Sequence, residues 1–226
     1  MQHTTTPHTT PNSIDLRRHA PATLRNRQAI YDVLKGILPQ EGLLLEIASG
    51  TGEHAAWLGP QFAPLIWQTS EYNQDLFPSI QAHIELGSAE NIRPPLQIDV
   101  TREDWGLGLK NEQSLQNNVE AITCANMIHI APWDAALGLF AGAAKFLKEG
   151  GVLFLYGPFF QQDIDPIPSN LEFDRSLRLK NSAWGIRRLE EVSEIAKSNG
   201  LTLDQIIPMP ANNLSVVFRK RTSLTP

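Results

Sequence analysis

The sequence of 226 residues contains a single cysteine, no apolar run long enough to cross a membrane and no excess of basic residues. One cysteine, Cys124, excludes an internal disulfide and a metal site built from several cysteines. No stretch approaches the roughly 20 apolar residues of a membrane helix, and the amino terminus lacks the apolar core of a signal peptide. We therefore expect a cytoplasmic protein that has no membrane partner.

Positive charge is also scarce. The chain has 19 lysines and arginines against 24 aspartates and glutamates, which gives a formal net charge of −5. Nucleic-acid-binding surfaces are usually basic, and the runs Arg187-Arg188 and Arg219-Lys220-Arg221 are short enough to be ordinary solvated surface. The six histidines show no paired helical spacing with acids. These observations predict neither a nucleic-acid partner nor a metal site.

The remaining composition, 42% hydrophobic and 19% charged, is that of a soluble globular chain. Residues 1–13 are rich in Thr, His and Pro and have almost nothing to bury, so they predict a disordered tail. Residues 14–226 have the length of one α/β domain with a sizeable core.

The most informative stretch runs from Leu43 to His54. Leu43–Ile47 is a short apolar block, which predicts a buried strand of a parallel sheet. Gly50 and Gly52 follow, and they allow a tight turn and the close approach of a ligand to the backbone. A helix is expected to begin near His54, with its free N–H groups aimed back at the loop. This strand–loop–helix unit predicts a nucleotide-type cofactor site.

The loop spacing alone does not decide the cofactor. Gly50-x-Gly52-x-x-Ala55 satisfies the dinucleotide fingerprint G-x-G-x-x-G/A, so a nicotinamide-dependent oxidoreductase is one alternative. Glu46 favours a different cofactor, because a carboxylate at this position repels a pyrophosphate and attracts a sulfonium compound that also carries an ammonium group. The pattern E-x-A-S-G-T-G resembles the first motif of Rossmann-like S-adenosylmethionine-dependent methyltransferases. A tight turn without a ligand is the structural alternative.

Two further acids occur where later strands are expected to end. Glu71 follows the glycines by roughly 20 residues, where Rossmann-like folds bind ribose hydroxyls; an acid at a helix start is the alternative. Asp99 lies near the end of the third predicted strand, where this fold class commonly has an acid that accepts a hydrogen bond from the adenine amino group. The alternative is that Asp99 caps a turn through Thr101. Arg25, Asn26 and Arg27 occupy the first turn of a helix, where the helix dipole makes positive charge unfavourable. Either a ligand contact or a solvated face would explain the two arginines there.

The fourth predicted strand, 119–125, leads into the run from Asn126 to Trp133, which is rich in polar and aromatic groups. Asn126 is expected at the cofactor edge. His129 is the candidate general base, because the pKa of an unperturbed imidazole lies near working pH. A histidine that packs under Trp133 and shapes the pocket is the alternative.

The order of the predicted elements indicates the fold. Strand patterns alternate with helical patterns, and a hairpin of 201–207 and 214–218 follows. We therefore predict an α/β fold of the Rossmann-like class I methyltransferases: a mostly parallel seven-stranded sheet with an antiparallel carboxyl-terminal hairpin strand and helices on both faces. Segments 102–118 and 160–184 are interpreted as irregular, and the second as a lid or substrate-facing loop.

Specific motifs extend over most of the chain: LEIASGTGEHA, NIRPPLQIDVT, NMIHIAPW, LYGPF, SNLEFDRSLR, WGIRRLEEV and MPANNLSVVFR. Together they resemble the methyltransferase-like 26 family, long described as a domain of unknown function. The resemblance implies a methyltransferase that uses S-adenosylmethionine and releases S-adenosylhomocysteine, but it does not supply the acceptor. For the acceptor we favour a small molecule over a protein. Glu71 departs from the pattern, since many relatives are expected to have Asp. A non-catalytic protein that holds either adenosyl compound is a further alternative.

These positions together define the predicted site. The predicted cofactor-binding residues are Asn26, Glu46, Ala48, Ser49, Gly50, Thr51, Gly52, His54, Glu71, Asp99, Val100, Asn126 and Met127. The predicted catalytic residues are His129 and Tyr156. The predicted substrate contacts are Trp133, Asp174, Asn212 and Asn213, of which the two asparagines equally suit a hairpin turn.

Overall fold

The computed structural model describes residues 15–222, so the predicted tail of residues 1–13 lies outside the described residues. The strands in chain order are β1 (Leu43–Ile47), β2 (Ile66–Glu71), β3 (Ile92–Gln97), β4 (Val119–Ala125), β5 (Leu147–Gly157), β6 (Phe159–Phe160), β7 (Arg187–Arg188), β8 (Leu201–Met209) and β9 (Asn213–Lys220). The helices are α1 (Pro21–Ile37), α2 (Glu53–Leu58), α3 (Phe77–Gly87), α4 (Gly108–Leu115), α5 (Trp133–Phe146), α6 (Pro168–Lys180) and α7 (Leu189–Ser198).

Seven of the strands form one sheet in the order β3-β2-β1-β4-β5-β9-β8. Neighbours from β3 to β5 are parallel, whereas β9 is antiparallel to both β5 and β8. The direction of strand order reverses between β1 and β4, and ligands of open α/β sheets bind outside the carboxyl ends of the strands at such a reversal. The predicted sheet, with its antiparallel hairpin strand, is confirmed.

The sheet separates two hydrophobic cores. Successive side chains of a strand point to opposite faces, and accordingly Leu43 and Leu45 belong to one core while Leu44 belongs to the other. Helix α5 packs on the first core through residues such as Phe140, and α1 packs on the second through Leu34. None of the helices in residues 15–222 combines the length and the hydropathy needed to cross a bilayer.

The third strand begins earlier than predicted. The sequence prediction placed it at 95–100, whereas β3 spans Ile92–Gln97 and Asp99 follows its end. β3 lies at the edge of the sheet, and its pairing with β2 shifts register between Arg93 and Leu96, so Pro94 and Pro95 lie where the ladder is irregular. The two prolines therefore belong to the strand rather than to the turn before it.

The segment 102–118 is not an irregular surface excursion. It contains α4, and the Trp105 side chain is only 1% exposed because its indole packs directly on α5. A Cβ on Gly142 would lie 2.0 Å from the Trp105 ring, and the Trp105 Nε1 donates to the Gly138 carbonyl at 3.1 Å. Gly142 thus makes room for the indole, and the Gly138 carbonyl accepts its N–H. The indole in turn anchors the chain that follows Asp99.

The segment 160–184 is also more regular than predicted, because α6 occupies Pro168–Lys180. Its polar face explains the error: the buried residues of α6 are only Asn170 and Leu177, so the sequence shows little helical apolar periodicity. Strands β6 and β7 flank this insertion and pair with each other in parallel. The end of the insertion is therefore paired with its beginning, just after β5 and Pro158.

Candidate functional site

The loop between β1 and α2 has an unusual backbone. Ala48, Gly50 and Gly52 have φ values of 57°, 58° and 91°, in the left-handed region that favours glycine. A Cβ on Gly52 would lie 2.7 Å from the Ile80 Cα, so this glycine lets the loop pack closely on α3. A Cβ on Gly50 would meet no atom of residues 15–222 within 4 Å. Gly52 therefore serves packing, whereas Gly50 faces open space.

Glu46 lies within β1 beneath this loop and is 7% exposed. Its Oε2 accepts hydrogen bonds from the Ser49 hydroxyl at 2.7 Å and from the Trp67 indole at 3.2 Å. Burial raises the pKa of Glu46 to about 6, although both hydrogen bonds oppose the shift. At neutral pH the side chain is thus mainly a buried carboxylate that accepts two hydrogen bonds.

Glu71 ends β2 and joins it to the loop. Its Oε2 accepts the Gly50 N–H at 2.9 Å, and its Oε1 accepts the Asn73 N–H at 3.1 Å. The Ser70 backbone is bonded to Ser49 as well, through Ser49 N–H to Ser70 O at 2.8 Å. Each carboxylate oxygen has two lone pairs, so each retains the capacity to accept one further hydrogen bond.

Asp99 and Val100 follow β3. Asp99 Oδ1 accepts hydrogen bonds from the Thr101 backbone N–H at 3.0 Å and from its hydroxyl at 2.6 Å. The turn-capping alternative is therefore present in the structure, and it uses only one of the two carboxylate oxygens. Val100 is 7% exposed, and its carbonyl lies against Gly138, where a Cβ would come within 1.8 Å.

The ends of β4 and β5 meet at Asn126. Its N–H donates to the Tyr156 carbonyl at 2.7 Å, and its own φ is 62°. Met127 follows and is 9% exposed. Tyr156 is 4% exposed, and burial raises the pKa of its hydroxyl.

His129 is enclosed rather than open to solvent. It is 1% exposed, and neither ring nitrogen has a hydrogen-bond partner among residues 15–222. Its ring packs edge-on against Phe159 at a centroid distance of 5.0 Å, and a Cβ on Gly157 would lie 2.7 Å from its Nε2. Burial and then the nearby Arg187 lower the pKa of His129 to about 3. The ring is therefore neutral at physiological pH.

Asn26 links α1 to α2 under the loop. Its Oδ1 accepts a hydrogen bond from the His54 Nε2 at 2.8 Å. Burial lowers the pKa of His54 to about 4, so this imidazole is neutral too. His54, Glu46 and Thr123 line a small cavity of about 20 Å³, which is the size of one water molecule.

The insertion after β5 is held to the site by Arg187. Its guanidinium donates to the carbonyls of Ile128, Ala131 and Ala183 at 2.7–2.9 Å. It also lies 5.3 Å from the centre of the Trp133 ring. The interpretation of Arg187 as ordinary solvated surface is therefore wrong. Sequence reasoning missed it because its partners are backbone carbonyls, which no residue pattern reveals.

The remaining predicted substrate residues are bonded within the insertion and the hairpin. Asp174 accepts from the Ile186 N–H and from Arg178 Nε, both at 2.8 Å. Asn212 Nδ2 donates to Ser169 Oγ at 3.2 Å, and its carbonyl accepts from Asn170. Asn213 Nδ2 donates to the Pro210 carbonyl at 3.0 Å. The two asparagines thus satisfy the hairpin turn and tie it to α6.

The structure brings the predicted residues together in two groups. Glu46, Ser49, Gly50 and Glu71 form one hydrogen-bonded group at the ends of β1 and β2. Asn26 and His54 form the second through their side-chain hydrogen bond, and separately the Asn126 N–H bonds to the Tyr156 carbonyl at the ends of β4 and β5. Within the described part of the chain, no hydrogen bond joins Asp99, Trp133, Asp174, Asn212 or Asn213 to either group. Thr51 bonds instead to Glu53, at 3.0 Å.

These groups fit an adenosyl sulfonium compound. Gly50 leaves open space where any other residue would place a Cβ, and the Glu71 carboxylate beside it can still accept hydroxyl hydrogen bonds. The negative charges of Glu46 and Glu71 are unsuited to a pyrophosphate and suited to a cation. The donors and acceptors therefore agree with the cofactor expected from the sequence.

Comparison with known proteins gives one family match and several matches in fold. A family model described as "Protein of unknown function (DUF938)" matches residues 17–220. An O-methyltransferase family protein from Burkholderia thailandensis has a TM-score of 0.73 at 14% identity, over 90% of this chain and 58% of that chain. The mitomycin 7-O-methyltransferase MmcR has a TM-score of 0.71 at 16% identity, over 88% of this chain and 54% of that chain.

A third structure with a similar fold is that of an S-adenosylmethionine-dependent methyltransferase from Aquifex aeolicus. It has a TM-score of 0.62 at 13% identity, over 89% of this chain and 94% of that chain. The chain thus spans little more than half the length of the first two proteins and nearly all of the third. At these identities the likeness concerns the fold, and the fold is that of the Rossmann-like methyltransferases.

Proposed function

The chain belongs to the family described as protein of unknown function DUF938, and we propose that it is an S-adenosylmethionine-dependent methyltransferase with a small-molecule acceptor. The observation that carries this proposal is the 2.9 Å hydrogen bond from the Gly50 N–H to Glu71 Oε2. It holds a carboxylate against a glycine whose outer side is open, at the point where strand order reverses. This combination suits an adenosyl ribose.

When bound, S-adenosylmethionine supplies an electrophilic methyl group. In the proposed enzyme Glu71 accepts hydrogen bonds from the ribose hydroxyls, and the free Oδ2 of Asp99 accepts one from the adenine amino group. Glu46 supplies negative charge beneath the loop, where it favours the cationic end of the cofactor. In the same proposal, the backbone of residues 48–52 and the Asn126 side chain also contact the cofactor. The chain's main contribution is therefore to position the two reactants and exclude water.

Two features support a small-molecule acceptor. MmcR is a mitomycin 7-O-methyltransferase, and it shares this fold. The insertion between β5 and α7 contacts the loop after β4 through Arg187, which would limit access for a large acceptor. Membership of the methyltransferase-like 26 family, which the sequence motifs suggest, is part of the same proposal.

The role of His129 as a general base stays a prediction. Its ring is neutral, as a base must be, but a pKa of about 3 makes it a much weaker base than a free imidazole. Its enclosure, together with that of Tyr156, favours a second candidate function: a non-catalytic protein that holds S-adenosylmethionine or S-adenosylhomocysteine. Both candidates share the cofactor site and differ in turnover.

Calorimetry with S-adenosylmethionine, S-adenosylhomocysteine and NAD tests the proposal. We expect the purified chain to bind both adenosyl compounds and not NAD. The Glu71→Ala variant should lose at least tenfold in affinity for both, about 1.4 kcal/mol. Glu41→Ala, which removes an exposed acid just before β1, is the matched control and should bind as the wild type does. Circular dichroism of each variant checks that the fold is retained.

Failure to bind either adenosyl compound would overturn the proposal, and binding of NAD alone would indicate an oxidoreductase. If both adenosyl compounds bind, release of S-adenosylhomocysteine during a screen of small hydroxyl, amine and thiol acceptors separates an enzyme from a non-catalytic binder.

A further inference from the structure

Three potential metal ligands converge beside the loop that follows β1. His19 precedes α1, Glu53 is the first residue of α2, and His83 lies on α3. One ligand atom from each lies within 4.8 Å of the other two. Because the three residues come from separate elements, no spacing in the sequence brings them together, which explains why the sequence predicted no metal site.

One ring nitrogen of His83 is held by a hydrogen bond to the backbone. Its Nε2 lies 3.0 Å from the Arg18 carbonyl oxygen, which can only accept a hydrogen bond, so Nε2 carries the proton. In the neutral ring Nδ1 then presents a lone pair. Metal-binding histidines commonly donate their other ring N–H to a backbone carbonyl in this way, which fixes the tautomer and the ring plane. His83 is 8% exposed, so its ring is held in place by packing as well.

Glu53 is also held in place. Its Oε2 accepts hydrogen bonds from the Ala20 N–H at 2.5 Å and from the Thr51 hydroxyl at 3.0 Å. Its Oε1 lies 2.9 Å from His19 Nδ1. Oε2 is therefore occupied by a backbone N–H and a hydroxyl, and Oε1 contacts the His19 imidazole.

His19 provides access from solvent, since its side chain is 64% exposed. Its ring meets the His83 ring edge-on, with the centroids 5.4 Å apart and an interplanar angle of 89°. The proton now shared between His19 Nδ1 and Glu53 is the one that a metal ion would displace, so binding would release it. The cluster thus has two oriented inner ligands and one outer ligand at the entrance.

We propose that His19, Glu53 and His83 bind a divalent transition-metal ion, Zn²⁺ being the best match. Two imidazoles and one carboxylate are a common zinc set, with a water molecule as fourth ligand. Mg²⁺ and Ca²⁺ prefer sites made of oxygen ligands alone. The ion fastens the segment 15–20 to α3 and to the residue that follows Gly52. This inference does not rest on the proposed methyltransferase activity.

Metal titration of the tag-free full chain tests the site. After removal of metal with a chelator, we expect calorimetry to show one Zn²⁺ bound per chain, and Co²⁺ to give the visible absorption of a tetrahedral complex. His83→Gln and His19→Ala should each weaken Zn²⁺ binding at least tenfold. The double variant His3→Ala/His8→Ala removes the other two histidines near the amino terminus and should bind as the wild type does.

Thermal unfolding provides a second readout that needs no activity. Zn²⁺ should raise the melting temperature of the wild type and of the tail variant, and should leave that of His19→Ala unchanged. His19 is mostly exposed, so this variant remains informative even if His83→Gln fails to fold. Absence of Zn²⁺ binding by the wild type would overturn the proposal and leave a His19–Glu53 ion pair. Unchanged Zn²⁺ affinity in His19→Ala, or loss of binding in the tail variant, would overturn it as well.

Discussion

The Glu46 carboxylate accepts a hydrogen bond from the Ser49 hydroxyl at 2.7 Å, and this contact ties the strand β1 to the loop that leaves it. Since burial raises the pKa of Glu46 to about 6, the charge under the loop changes within a range of pH that is easily reached in solution. Binding and stability should respond to this change in opposite directions.

Cofactor binding should weaken in mild acid. A cationic ligand favours the ionised form of Glu46, so its affinity should fall as the pH drops through about 6. We expect S-adenosylmethionine to bind several-fold less tightly at about pH 5 than at about pH 7.5. Calorimetry at both values measures this. Glu46→Gln should bind more weakly at neutral pH and show a flatter profile; equal pH profiles for wild type and variant would contradict the prediction.

The same substitution should stabilise the free protein. The pKa of Glu46 is higher in the folded chain, about 6, than its ordinary value of 4.5, so the stabilisation from its protonation is complete below about 4.5 and is lost as the pH rises through 6. Above that pH the buried charge costs about 2 kcal/mol. Glu46→Gln should therefore raise the free energy of unfolding by about 1–2 kcal/mol at neutral pH, and by much less near pH 4.5, as measured by urea denaturation. A less stable variant at neutral pH would contradict this.

Two buried histidines should make the fold sensitive to acid. The pKa values of His54 and His129 are about 4 and about 3, below the ordinary 6.5, so their stabilising contribution is present above 6.5 and is lost as the pH falls through these values. Urea denaturation across this range should show falling stability. The measurement is made in Glu46→Gln, because protonation of Glu46 would otherwise raise the stability as the pH falls. Adding His129→Leu should flatten the slope, and an unchanged slope would show that His129 does not cause it.

The two loop glycines should differ in what they lose on substitution. Gly52→Ala places a Cβ 2.7 Å from the Ile80 backbone at a φ of 91°, so we expect a loss of stability of about 2–4 kcal/mol. Gly50→Ala meets open space and should cost only about 1 kcal/mol for its left-handed backbone. Its methyl group enters the proposed cofactor space, however, so its main effect should be on affinity. Thermal unfolding and calorimetry of both variants separate the two effects.

The main sheet was predictable from the sequence because its strands are short apolar blocks between glycines and acids. All five residues of β1 are buried, as a central parallel strand requires. The position of Glu71 after the glycine loop was likewise predictable, because the fold brings the ends of adjacent parallel strands together. The 2.9 Å contact with Gly50 is a consequence of that order.

What the sequence did not reveal depends on contacts between distant segments. Helix α6 lacks apolar periodicity because it buries few side chains, and its anchoring through Asn170 to Asn212 spans 42 residues. Trp105 is buried only because Gly142 of α5 makes room for it. His129 was selected for the pKa of a free imidazole, whereas its enclosure by Phe159 and Gly157 changes that value. Each of these properties is set by a tertiary partner.

The placement of β9 has a consequence for biosynthesis. This strand is made after all the others, yet it lies inside the sheet, between β5 and β8. Until residues 213–220 leave the ribosome, the Val152–Gly157 edge of β5 has no neighbour, although every one of these residues is buried in the finished fold. An unpaired apolar edge is a template for association with other chains. The nascent protein should therefore depend on chaperones until its last hairpin closes the sheet.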